Sequence, residues 1–228
     1  MADPAFSFDC DVNQFPSLTW NQLSINRGHL STAAKRRLQL ASQELSDGIS
    51  LVQTSRAQLP AALAAIQTGM GKAFDAQFDG ALDALEVPVN LYTVEAGRKA
   101  GSAVHGRVQL SAENGGGICD TLIVAQKDSD ARFIFEYGGE GAENALLGCR
   151  IRILAQEGSH VSISLVNLLT GEDDHFDSVG ASLEDRASVE LTELQLGGSK
   201  VYSGSCYELR GRAARFDGRL AYLVAKDH

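Results

Sequence analysis

The feature that most constrains this chain is a repeat in its second half. Asp130-Ala131-Arg132-Phe133-Ile134-Phe135 matches Gly158-Ser159-His160-Val161-Ser162-Ile163 and then Arg186-Ala187-Ser188-Val189-Glu190-Leu191, at an offset of 28 residues each time. A fourth copy, Arg212-Ala213-Ala214-Arg215-Phe216, follows one or two residues out of step. Each copy has a turn residue, a small residue and then an apolar strand start. A period this long fits one coil of a parallel β-solenoid, in which short strands and turns complete a lap. Stacked coils place equivalent residues about 4.8 Å apart, so Phe133, Val161 and Val189 are expected to form an inward ladder. A β-sandwich is the rival, and it calls for hairpin signals between strands. Between the strands of this half only Asn114-Gly115 and Asp217-Gly218 qualify, which favours the solenoid.

The first part has a different grain. All four prolines (Pro4, Pro16, Pro60, Pro88) lie in it, whereas most of the 23 glycines begin at Gly97. Leu38, Ala41, Leu45, Ile49, Val52 and Leu59 step by three and four, with a gap where Arg56 falls, which predicts a helix capped by Ser31 or Thr32 and closed by Pro60. Pro60 then opens a second helix over Ala61 to about Leu85, striped by Leu63, Ile66, Met70, Phe74, Phe78 and Leu82. Gly69 and Gly71 weaken it by about 1 kcal/mol each relative to alanine, so a break is expected there. Phe15 to Asn21 reads as a short turn and apolar anchor. Strands are expected at 91–94, 103–110, 122–125, 133–137, 151–155, 161–169, 189–196 and 220–224. The expected fold is α+β, mainly β: a helical region over 1–90, then a parallel β-helix over 91–228.

Composition removes several function classes. Twenty basic against 29 acidic side chains give a net charge of −9, the wrong sign for a nucleic-acid footprint. No run approaches the roughly 18 apolar residues of a membrane span. Met1-Ala2-Asp3-Pro4 has neither the charged nor the apolar region of a secretion signal, so Cys10, Cys119, Cys149 and Cys206 read as reduced thiols of a cytoplasmic protein.

Motifs that carry chemistry mostly fail. Gly69-Met70-Gly71-Lys72 lacks the earlier glycine and the following Ser/Thr of a phosphate loop; Ile66 and Ala73 stand there. Gly139-Glu140-Gly141 starts a dinucleotide pattern, but Asn144 replaces its last glycine, and Glu140 and Glu143 repel a pyrophosphate. Gly115-Gly116-Gly117 has no lysine. Glu172-Asp173-Asp174-His175-Phe176-Asp177 is the richest polar cluster. Asp173, Asp174 and His175 have the donor types for a divalent cation, but the simpler reading is a solvated connection between coils. Cys149 and Cys206 are two coils plus one residue apart, about 10 Å by stacking, too far to share one iron. Cys119 and Cys149 are one coil apart but two residues out of register, so buried apolar thiols are expected. His105 and His160, beside apolar strands, read as structural histidines. No catalytic, cofactor or metal residue is assigned.

Two stretches carry a resemblance. The chain reads His175-Phe176-Asp177-Ser178, Ala187-Ser188-Val189-Glu190-Leu191, Leu196-Gly197-Gly198-Ser199-Lys200, Leu209-Arg210-Gly211-Arg212-Ala213-Ala214 and Gly218; near the start it reads Pro16-Ser17-Leu18-Thr19-Trp20-Asn21-Gln22-Leu23-Ser24-Ile25-Asn26. This resembles the SufB/SufD family of iron–sulfur cluster assembly proteins, and its short SufD-like members in particular. The resemblance implies a right-handed parallel β-helix and a structural, non-catalytic scaffold role, whole or as an N-terminal fragment, in a SufBCD-type complex. SufB-like and SufC-like ATPase subunits are the implied partners. The cluster is assembled by the full complex, with none bound by this chain alone. Tyr202-Ser203 departs from the Arg-Asn that often follows the glycine pair. The family's later coils, which hold the cluster-assembly cysteine and histidine positions and the ATPase docking surface, have no counterpart before His228. Two alternatives stay open: a carbohydrate-active solenoid enzyme of the pectate-lyase kind, and a solenoid interaction protein without a cluster role. An uncovered last coil at Leu220 to Val224 also predicts a homodimer, coil against coil.

Overall fold

Strand-forming segments account for most of the chain, as the repeat requires. The computed structural model describes residues 5–12, 28–42, 45–111, 116–139, 145–170 and 173–223. In chain order these residues form β1 (Phe6–Val12), β2 (Gly28–Ala34), β3 (Arg36–Arg37), β4 (Leu40–Ser42) and β5 (Ile49–Thr54). A 3-10 turn (Arg56–Gln58), α1 (Ala61–Ala64) and α2 (Lys72–Ala84) follow. The solenoid strands are β6 (Val89–Val94), β7 (Val104–Leu110), β8 (Gly117–Ala125), β9 (Asp130–Gly139), β10 (Leu146–Ala155), β11 (His160–Leu169), β12 (Asp174–Leu183), β13 (Ser188–Gln195), β14 (Val201–Leu209) and β15 (Arg215–Tyr222).

From β6 onward, successive strands alternate between two sheets. The even strands β6 to β14 stack in one sheet and the odd strands β7 to β15 in the other, and every pair among them is parallel. A sandwich of hairpins has antiparallel neighbours, so this is a β-solenoid, of about four turns. Val161 stacks on Val189, and Val189 on Phe216, close to the expected ladder. Phe133 is shifted: it pairs with Ile163, while Val161 lies over Ala131. The cause is the longer connection from Gly139 to Leu146 than from Leu169 to Asp174, which makes that lap two residues longer. An even slip preserves the alternation of faces, so Phe133, Val161 and Val189 all point inward and are buried. Each tight corner contains a left-handed residue: Asp128 (φ 56°), Gly158 (φ 69°), Arg186 (φ 57°) and Ala213 (φ 56°). At Gly158 a Cβ would stand 2.2 Å from the Asp128 carboxylate in the turn stacked against it.

The expected helix from Leu38 to Leu59 does not form. Leu40–Ser42 instead pairs antiparallel with β7, and Ile49–Thr54 pairs antiparallel with β6. The first lap presents two strand edges whose backbone groups need partners, and that demand overrides the helical spacing. Ile49-Ser50-Leu51-Val52-Gln53-Thr54 is rich enough in β-formers to meet it. The second helix forms with the expected break, as α1 and α2, with Pro60 capping α1. The break has a packing reason: a Cβ on Gly69 would fall 1.8 Å from the Ser205 backbone nitrogen, and Gly69 N–H donates to the Val179 carbonyl at 3.1 Å. Phe15 to Asn21 and the Pro16–Asn26 stretch lie outside the described residues.

The inward faces make one core running from Leu38 to Leu191. A second core lies on the outside of the even sheet, where the β1–β2 hairpin and α2 pack Phe8, Phe74 and Phe78 around Phe176. Strands β8, β10 and β12 of the even sheet are therefore buried on both faces.

Candidate site: a polar seam inside the solenoid

Alternation along β12 sends Phe176 and Ser178 outward under the N-terminal layer and His175 and Asp177 into the solenoid. The expectation that this segment is a solvated connection is thereby corrected. Asp173 is 2% exposed, and His175 and Asp177 are 0% exposed. Asp174 is half-buried, and burial raises its carboxyl pKa. Glu172 lies outside the described residues. Among the described residues no three His, Cys, Asp or Glu side chains are arranged to hold a metal.

The interior instead contains a hydrogen-bonded polar cluster toward the last laps. His175 Nδ1 stands 2.9 Å from the Leu147 carbonyl and Nε2 3.0 Å from Asp177 Oδ2. Gln195 Nε2 donates to the same Oδ2 at 2.7 Å, and Asn167 Nδ2 donates to Gln195 Oε1 at 3.0 Å. Ser203 Oγ is 2.8 Å from Asp177 Oδ1 and 2.8 Å from Glu193 Oε2. Glu193 Oε1 and the Tyr207 hydroxyl are buried without a hydrogen-bond partner. Tyr137 lies against the His175 ring at 5.2 Å between centroids.

Both seam thiols are in register. The longer lap brings Cys119 directly under Cys149, correcting the two-residue offset expected from the 28-residue period. Burial pushes the Cys119 thiol up to about 12 and raises Cys149 further from its ordinary range. Thiols so protonated are poor nucleophiles and poor ligands. Cys119 accepts a contact from Asn90 Nδ2 at 3.5 Å. Cys206 stacks on Gly180, on the opposite face from Asp177 and Ser203. His160 Nδ1 is 2.8 Å from Ser188 Oγ, the structural role expected of it.

A second polar group lies beneath α2, on the outer face of the even sheet, and no local pattern announced it. Asp120 accepts from Arg150 Nε (3.1 Å), Arg150 Nη2 (3.0 Å) and Arg152 Nη2 (2.7 Å). Arg150 also reaches Asp79 of α2 at 2.9 Å and lies 4.6 Å over the Phe78 ring. These contacts tie the N-terminal layer to the solenoid.

Taken together, these features define a parallel β-helix protein whose polar side chains are enclosed rather than displayed in an open cleft. The family model for the SufBD core domain of SUF system FeS cluster assembly matches residues 108–228, more than half of the chain. The chain belongs to the SufB/SufD family, which ties it to iron–sulfur cluster assembly. No curated protein and no solved structure matches it. Among the described residues no helix is long and apolar enough to cross a membrane.

Proposed function

We propose that the chain is a SufD-like scaffold subunit of a SufBCD-type complex, structural and non-catalytic, acting in the cytoplasm with SufB-like and SufC-like ATPase subunits. The observation that carries this reading is the SufBD core match over residues 108–228, laid on a solenoid whose inner thiols are sealed and protonated. A subunit of this kind shapes the assembly while the cluster passes as cargo. The pectate-lyase alternative needs carboxylates and a basic residue aligned on one solenoid face, whereas the carboxyls of the polar cluster, Asp177 and Glu193, point inward.

Co-expression with SufB-like and SufC-like subunits tests the main reading. A stable ternary complex is expected, and the absence of association with either subunit overturns it. The chain alone, reconstituted anaerobically with iron and sulfide, is expected to hold no stoichiometric cluster. A cluster abolished by Cys149→Ser or Cys206→Ser overturns the non-catalytic assignment.

A further inference from the structure

Hydrogen-bond polarity within the seam fixes where a proton must sit. The Leu169 N–H can only donate, so the Asn167 atom 3.0 Å from it is Oδ1, and Nδ2 donates to Gln195 Oε1 and, at 2.9 Å, to the Gly197 carbonyl. Gln195 then turns its Nε2 to Asp177, and Oδ2 is an acceptor. On the other side, Ser203 Oγ is within hydrogen-bond distance of two carboxyls, Asp177 and Glu193, but a hydroxyl has a single hydrogen. It donates to one. The second contact is attractive only if that carboxyl has a proton of its own and donates to Ser203.

We propose that Asp177, Ser203 and Glu193 form a buried proton-binding site, in which one proton is held between the two carboxyls and steadies the last laps of the solenoid. Glu193 is the side that holds it. Asp177 receives donors from Gln195 and faces His175, whereas Glu193 has Ser203 alone, with Oε1 unpartnered and the residue only 4% exposed. An ionised carboxylate in that position is costly. Burial, and then the Asp177 charge, raise its pKa to about 7.

The groups around the pair come from every packed strand. They are His175 and Asp177 on β12, Tyr137 on β9, Cys149 on β10, and Ser203 and Tyr207 on β14. Leu165 and Leu220, which flank Glu193 in the odd sheet, are uncharged. Both ring nitrogens of His175 face acceptors, the Leu147 carbonyl and Asp177 Oδ2.

The sign follows from linkage. The folded chain binds one proton more than the unfolded chain between the ordinary glutamate pKa of 4.5 and about 7, so stability falls as pH rises through that window and levels off above it.

Equilibrium denaturation of the full chain across this range, for wild type and Glu193→Gln, tests the site. Glutamine places a neutral N–H donor toward Ser203. Relative to this variant, the wild-type unfolding constant is expected to rise by up to about tenfold per pH unit within the window. Infrared spectroscopy of the wild type provides a readout that needs no variant: a neutral-carboxyl band at about pH 6 that titrates away above neutrality. Parallel pH profiles in the two proteins, or no such band in the wild type, overturn the proposal.

Discussion

Replacing Asp120 with asparagine tests how the N-terminal layer is held. The substitution keeps volume and shape, so its cost is electrostatic. Asp120 is fully buried, and it serves Arg150, whose side chain is 3% exposed, and Arg152, 1% exposed. Burial alone pushes its carboxyl up, but the two guanidiniums outweigh it and hold the pKa below the ordinary carboxylate range. Without that charge, two buried cations share Asp79, which is 34% exposed on its side chain, and the Ala64 carbonyl at 3.5 Å from Arg152. Arg152 Nε has no partner even in the native arrangement, so it has nothing to fall back on. Breaking a buried pair from one side costs about 3–5 kcal/mol, a large share of the roughly 5–15 kcal/mol that separates folded from unfolded domains. Urea denaturation followed by far-UV circular dichroism measures the loss as a lower midpoint. A triple replacement, Asp120→Leu with Arg150→Met and Arg152→Leu, is expected to recover most of it, because the charges then leave together. The depressed Asp120 pKa also gives a sign in acid. Its stabilisation is complete above the unfolded pKa and is lost as pH falls through the folded one, so the variant loses that part of the acid sensitivity. An Asp120→Asn protein within about 1 kcal/mol of the parent would show that the network is hydrated and refute the reasoning.

Other perturbations separate the interior from the outer layer. Val161→Asp puts an unpaired charge between Ala131 and Val189 in the inward ladder, and should cost several kcal/mol by urea denaturation; a variant as stable as the parent means Val161 faces water. Gly148→Ala places a Cβ 2.3 Å from the Phe176 ring, and overpacking of about 1–3 kcal/mol should appear as a lower melting temperature; an unchanged value would mean that the aromatic nest yields freely. Under native alkylation read by mass spectrometry, half-buried Cys206 should be labelled well before Cys119 and Cys149, and equal rates would contradict the sealed seam.

The solenoid was legible because stacking turns a structural period into a sequence period. Its register was less so. An offset of 28 residues aligned Val161 with Val189 correctly and slid Phe133 by two, because connections between strands vary in length without disturbing inside and outside. That same slip concealed the Cys119–Cys149 stack. Residues 38–59 misled for a different reason. Apolar steps of three and four also fit two short strands and a turn, and the choice was made by open edges on β6 and β7, which lie far along the chain.

The polar seam shows what one-dimensional reading cannot weigh. Glu172 to Asp177 is as charged as any surface loop, and charge alone assigns it to solvent. Burial of Asp177 becomes affordable only when Gln195 from the facing sheet and Ser203 from the strand stacked beside it, 18 and 26 residues away, arrive as donors. The same logic governs Asp120, whose partners Arg150 and Arg152 come from the next lap. In a solenoid the neighbours of a side chain lie a full coil away in sequence, so a polar group has to be judged against its counterparts in adjacent laps. Judged that way, inward-facing Asp177, Gln195, Ser203 and Glu193 form one connected set, and the proton their geometry requires follows from their number of donors.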